Sequence, residues 1–166
     1  MFMKVLKMKT FPTPFEILLV EDNKGDIGLI TEFFIDSKII TNLHIAEDGD
    51  ETLRFLYGKD KFSGSTLPDI IILDWNLPRK DGNEVLKEIK ENNNLKNIPV
   101  IVLTTSSAEK DMIRAYDLHA NAYIVKPLDY DEFMTVINSI QDFCFKSVTL
   151  SPKSSALQST DTSNIR

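Results

Sequence analysis

Three carboxylates, one hydroxyl and one amine each follow directly on a short apolar run in this 166-residue chain. Glu21-Asp22 follow Ile17-Leu18-Leu19-Val20, Asp74 follows Ile70-Ile71-Ile72-Leu73, Thr104 follows Val100-Ile101-Val102-Leu103, and Lys126 follows Tyr123-Ile124-Val125. Each has a plain structural reading when taken alone. Asp22 could cap a helix, Asp74 open a turn, Thr104 end a strand and Lys126 be a solvated charge. A purely structural account must explain a hydrophilic residue at the same place four times over, and the joint pattern therefore favours a site.

Carboxylates brought together repel one another. At an effective dielectric of about 20, a pair about 4 Å apart costs on the order of 4 kcal/mol, so a cation is the natural remedy. Hard oxygen donors with no His or Cys among them suit Mg²⁺, which takes one or two carboxylates, several waters and a phosphate oxygen. A carboxylate nucleophile, a metal and a Lys to pair with the transferred group make up the parts needed for phosphoryl transfer, with Asp74 as the candidate acceptor.

The elements that must bring these residues together are readable from periodicity. Short apolar runs alternate with amphipathic stretches from residue 16 to residue 145, the pattern of repeated βα units. The runs ending at Val20, Leu73 and Leu103 are continuously aliphatic, as strands covered on both faces should be. Ile27, Ile30, Phe33 and Phe34 fall at helical spacing, and so do Val85, Leu86 and Ile89. Pro68 and Pro99 stand where strands begin, and Asp81-Gly82 marks a turn before the third helix. Residues 58–67 read as a loop, and no internal repeat is visible. Five strands alternating with five helices predict a doubly wound α/β domain, whose sites lie at the carboxyl ends of its strands.

Composition narrows the function. The formal net charge of -6 argues against a basic surface for nucleic acid. A single cysteine, Cys144, excludes an intrachain disulfide or zinc cluster and fits a reducing cytoplasm. No run reaches transmembrane length, so no membrane association is expected. The leader at residues 1–14 is expected to be flexible. Residues 151–166, rich in Ser and Thr, belong to an extension at 147–166 expected to be largely disordered, which leaves residues 15–146 as the folded domain.

The segments ILLVEDN, PDIIILDWNLPRKDG, PVIVLTTSS and AYIVKP resemble, in this order, those of response-regulator receiver domains of two-component signalling, over about residues 16–140. The resemblance implies a flavodoxin-like five-stranded parallel sheet in order 2-1-3-4-5. It implies that Glu21 and Asp22 form the acidic pocket, that Asp74 is the phosphoacceptor, and that Asn76 adds a backbone carbonyl to a Mg²⁺ site with them. It makes Thr104 and Lys126 ligands of the phosphoryl group, and Thr104 with Tyr123 the switch pair; a packed edge aromatic is an equal reading of Tyr123. It implies a cis Lys126-Pro127 peptide. Glu21 departs from the more frequent Asp, which suggests a water-mediated metal contact for the longer side chain. Ser106 and Asn76 are positions expected to influence the lifetime of the acyl phosphate.

The long loop, LTTSSAEKDMIRAYDLHANAYIVKPLD and the terminal DFCFKSVTL resemble the stand-alone regulators that serve phytochromes and related sensor histidine kinases. That likeness implies a homodimer through the fourth helix, fifth strand and fifth helix, with Phe143, Phe145 and Val148 as apolar contacts; Phe133 reads better as core. His44 reads as a strand residue and His119 as a helix terminus, so neither has the setting of a phosphohistidine donor. The chain is accordingly expected to be a phosphorylation switch that assists its own phosphorylation and dephosphorylation, not an enzyme acting on other substrates. No GxxxxGK[ST] or GxGxxG stands for an NTPase or dinucleotide enzyme. Too few residues follow Phe145 for a DNA-binding domain. The alternative is a receiver-like interaction module that works without phosphorylation, against which the intact Asp22, Asp74, Thr104 and Lys126 argue.

Overall fold

A computed structural model describes residues 13–37 and 39–148 of the chain. Strands β1 (Phe15–Val20), β2 (Thr41–Ala46), β3 (Ile70–Leu73), β4 (Val100–Thr104) and β5 (Ala122–Val125) alternate with helices α1 (Lys24–Asp36), α2 (Gly49–Leu56), α3 (Gly82–Glu91), α4 (Glu109–Asp117) and α5 (Tyr130–Val148). All strand pairings are parallel and the sheet order is β2-β1-β3-β4-β5, as expected. Chain direction therefore reverses its march across the sheet beside β1, and the carboxyl ends of β1 and β3 lie next to each other.

The continuously aliphatic runs are explained by two cores, one on each face of the sheet. Leu18, Val20, Ile71, Leu73, Val100 and Val102 face Phe55, Val85, Leu86 and Ile89. Their alternating neighbours Ile17, Leu19, Ile70, Ile72, Ile101 and Leu103 face Ile30, Phe34, Phe133, Ile137 and Ile140. A strand with a period of two serves both layers only if every position is apolar, so polar residues are displaced to the strand ends. β2, at the edge, is only half covered, and its polar positions show it.

Local signals set the helix starts. Asn23 caps α1, its side chain accepting from the N–H of Asp26 at 3.0 Å; Asp22, one residue earlier, is not the cap. Asp81-Gly82 is the start of α3 itself, with the Glu84 carboxylate accepting from the Asp81 N–H at 3.0 Å. The loop at 58–67 contains one 3-10 turn, Asp60–Phe62, whose Phe62 ring packs 5.3 Å from that of Phe55. His119 ends α4 in the left-handed region at φ 65, as a helix terminus. His44 lies on β2 and meets the buried Glu16 carboxylate at 2.7 Å, which also accepts from Asn42 at 2.8 Å. Phe133 is core, whereas Phe143 is 41% exposed. The leader at 1–12, the side chains of Phe145 and Val148, and residues 149–166 lie outside the described residues. Among the described residues no helix is long and apolar enough to cross a membrane.

Two glycines give opposite tests of this packing. A Cβ on Gly82 would stand 2.5 Å from the Asp74 carbonyl oxygen and 2.8 Å from Trp75 Cα, so α3 packs on the loop that carries Asp74 only because this residue is glycine. Gly28, within α1, has nothing within 4 Å of such a Cβ. Urea unfolding should show Gly82→Ala destabilised by about 1–3 kcal/mol. Gly28→Ala should instead be stabilised by about 0.5–1 kcal/mol.

Candidate functional site

Glu21, Asp74 and Lys126 are each the first residue after a strand, and each is held by one more rung of the hydrogen-bond ladder. The Glu21 N–H donates to Ala46 O at 3.0 Å, that of Asp74 to Val20 O at 2.9 Å, and that of Lys126 to Thr104 O at 2.7 Å. The backbone is thus as fixed as the sheet, while the side chains are free of the layers beneath. Glu21, Asp74, Thr104 and Lys126 are all buried, and Asp22 is exposed at the rim.

Lys126 gathers the carboxylates. Its Nζ donates to Glu21 Oε2 in the shortest of its contacts, to Asp26 Oδ2 at 2.9 Å and to Asp74 Oδ2 at 3.3 Å. The other oxygen of Asp74 accepts from the N–H of Asn76 at 3.2 Å, and the other oxygen of Glu21 from the N–H of Asn23 at 3.0 Å. No cis peptide occurs among the described residues, so the expected cis Lys126-Pro127 bond is corrected to trans. The long Lys stem, starting from a backbone pinned to Thr104, reaches the carboxylates without it, and trans is the favoured isomer of an X-Pro bond.

Burial pushes the Glu21 carboxyl up to about 7, against the hydrogen bonds from Lys126 and the Asn23 N–H that pull it down; the negative field of Asp74 adds to the rise. Burial also works to lower the Lys126 ammonium, but its bonds to Glu21 and Asp26 and the field of Asp74 outweigh that and raise it. The two directions agree physically: one ammonium among three carboxylates stays charged, and burial favours the neutral form of Glu21.

One oxygen each from Glu21, Asp22 and Asp74 lie within 4.8 Å of one another. An all-oxygen donor set with an exposed member at the rim fits a hard divalent cation that keeps part of its water, and not a closed N/S site. Asn76 is exposed two residues after Asp74, and its N–H donates to an Asp74 carboxylate oxygen.

The switch candidates form a second, linked set. Thr104 is fully buried at the end of β4, and its Oγ1 accepts from the Ser106 N–H at 3.3 Å. Tyr123 lies inward, 9% exposed, its hydroxyl donating to Ser106 O at 2.9 Å and its ring 6.2 Å from that of Trp75. Ser106 Oγ donates to Asp111 Oδ2 at 2.6 Å, which ties the loop to α4. Two participants are not among the sequence candidates. Asp26 lies one helical turn beyond Asp22, a spacing that carries a weak signal at most, and Asp111 is one of several acids in α4.

The fold and this arrangement define a receiver domain, and residues 17–138 match the model of the response regulator receiver domain. The chain belongs to the response-regulator receiver family. Response regulator Rcp1 of Synechocystis sp. is 44% identical over 137 residues, 82% of this chain and 93% of the relative. The crystal structure of its Mn²⁺-bound form matches with a TM-score of 0.80 over 84% of this chain and 100% of that one. The phosphorylated cyanobacterial phytochrome response regulator RcpA matches at 41% identity and a TM-score of 0.78, over 81% and 96% of the two chains.

Because the Glu21 carboxyl sits above its usual 4.5, its contribution to stability is full below about 4.5 and lost as pH rises through about 7. In EDTA, thermal melts should show wild type losing stability between about pH 5 and about pH 8, while Glu21→Gln shows a smaller loss and is the more stable protein at the upper end.

Proposed function

We propose that the chain is a single-domain switch that accepts a phosphoryl group on Asp74 from the phosphohistidine of a sensor histidine kinase, in a reaction that depends on Mg²⁺. The observation that carries this reading is the buried Asp74 carboxylate at the end of β3, 3.3 Å from Lys126 Nζ and within an oxygen triad with Glu21 and Asp22. An oxygen of Asp74 attacks phosphorus in line. The bond from phosphorus to the imidazole nitrogen breaks, the nitrogen keeps the electron pair, and an acyl phosphate forms. Glu21, Asp22 and Asp74, with the Asn76 carbonyl as a further oxygen, would hold Mg²⁺, which would supply charge neutralisation for the incoming phosphoryl oxygens. The Lys126 ammonium and the Thr104 hydroxyl donate to the transferred group, contacts that exist only in the phosphorylated state. The protein serves as a signalling switch, assists its own phosphorylation and dephosphorylation, and acts in the cytoplasm. The likeness to a phytochrome response regulator supports a phytochrome-like kinase as its partner.

Output runs through protein contacts, not nucleic acid. The Tyr123 N–H donates to the Tyr116 hydroxyl at 3.3 Å, which connects the switch pair to an apolar face where Ile113 is 54%, Tyr116 50% and Val125 38% exposed. This face of α4, β5 and α5 is the surface on which a second copy docks as a homodimer, with Phe143 at its C-terminal end.

Intact mass after incubation with Mg²⁺ and acetyl phosphate tests the acceptor. Wild type should gain one phosphoryl mass, lost in Asp74→Asn and in EDTA; a wild type without the gain favours the phosphorylation-independent interaction module. Sedimentation tests the face. Ile113→Glu should weaken self-association at least about tenfold while phosphoryl uptake is kept, and equal association of the two proteins excludes this surface.

A further inference from the structure

The Lys126 ammonium has three N–H donors, and the structure gives it three carboxylates: Glu21, Asp26 and Asp74. Two of these also belong to the oxygen triad. Asp26 does not. It stands in the first turn of α1, its backbone N–H fixed by the cap on Asn23 at 3.0 Å, with its side chain 26% exposed at the rim and its Oδ2 2.9 Å from Nζ. We infer that Asp26 is a positioning residue that retains the ammonium at the edge of the site, so that Glu21 and Asp74 are released to a divalent cation while Lys126 stays within reach of Asp74. The inference rests on the metal-binding part of the reading above.

The physical argument is one of competition. An ammonium and a divalent cation seek the same oxygens of Glu21 and Asp74, and both cannot occupy them fully. With Asp26 available, the ammonium keeps one charged partner as the other two turn away. Without it, the ammonium has only the triad to satisfy it, because leaving a buried Lys without partners is costly. Asp26 thereby favours cation binding through Lys126 rather than by touching the cation.

The single tryptophan, Trp75, is buried beside Asp74 and gives the readout. Mg²⁺ is titrated by Trp75 fluorescence into wild type, Asp26→Asn, Asp26→Glu, Lys126→Gln and the Asp26→Asn/Lys126→Gln double variant. With Lys126 present, Asp26→Asn should weaken Mg²⁺ binding about fivefold, and Asp26→Glu, which keeps the charge, should restore it to within about twofold. In the Lys126→Gln background the same Asp26→Asn change should have less than half the effect, because there is no ammonium left to hold. Equal Mg²⁺ affinity for wild type and Asp26→Asn overturns the inference, as does an equal loss in both backgrounds, the mark of a direct field effect. A wild type that binds no Mg²⁺ overturns the metal assignment and this role with it. Normal Mg²⁺ coupling with no phosphoryl gain from acetyl phosphate overturns the acceptor reading alone and leaves the role of Asp26 standing.

Discussion

Packing three acidic side chains around one ammonium, with a fourth at the rim, is the constraint on which the rest of this structure depends. Glu21, Asp26 and Asp74 converge on Lys126, and Asp22 stands beside them at the rim. A buried carboxylate of this kind persists only where charge and hydrogen bonds compensate it. Here the compensation is one ammonium and the N–H groups of Asn23 and Asn76. The site remains net negative, and the Glu21 carboxyl is raised chiefly by its burial, with the field of Asp74 adding to the rise. A net-negative oxygen cluster favours a further cation, which is why the same geometry that opposes folding is suited to binding one.

The sheet makes that cluster tolerable. Parallel strands buried on both faces allow polar side chains only at their ends, and the order β2-β1-β3-β4-β5 places the ends of β1 and β3 side by side. The additional backbone rungs at Glu21, Asp74 and Lys126 hold those side chains where their charges meet, at no cost to the apolar layers below. Gly82 completes the arrangement from the other side, since only a residue without a Cβ lets the start of α3 lie against the backbone of Asp74 and Trp75.

Much of this was legible in the sequence because it follows from period and position. Unbroken aliphatic runs identify the buried strands, and the hydrophilic residues that end them identify the site. The residues that escaped reading have other causes. Asp26 reaches Lys126 across 100 positions of chain, and its place one turn into α1 is shared by many surface acids. Glu16 sits inside a strand, yet its partners His44 and Asn42 are on β2, so its burial depends on parallel register, which alternation does not specify. The trans Lys126-Pro127 bond went against the expectation from family resemblance, because the reach of the Lys stem, a property of the assembled site, decides what backbone geometry is sufficient. The roles of Asp74, Thr104 and Tyr123 belong to the proposed function, toward which their positions argue.

On that proposal, a single covalent event at Asp74 has to move a surface some distance away. Converting a population from one part in a hundred to its inverse takes about 5.5 kcal/mol. A typical hydrogen bond contributes about 1 kcal/mol net, so no one contact from Thr104 or Lys126 is enough. What the structure offers is a chain of shared partners. Ser106 donates its N–H to Thr104 and its hydroxyl to Asp111, and accepts the Tyr123 hydroxyl, while Tyr123 donates its N–H to Tyr116 on the apolar face. On the proposed switch, displacing Thr104 toward a phosphoryl group would break the first of these, and the others share its partners, so that several small terms would change together. A second copy bound to the rearranged face would add its own differential affinity to the sum. On the proposed homodimer, self-association would then be part of the switch's energetics as well as its output, and the exposed Ile113, Tyr116 and Val125 would be the residues through which that coupling passes.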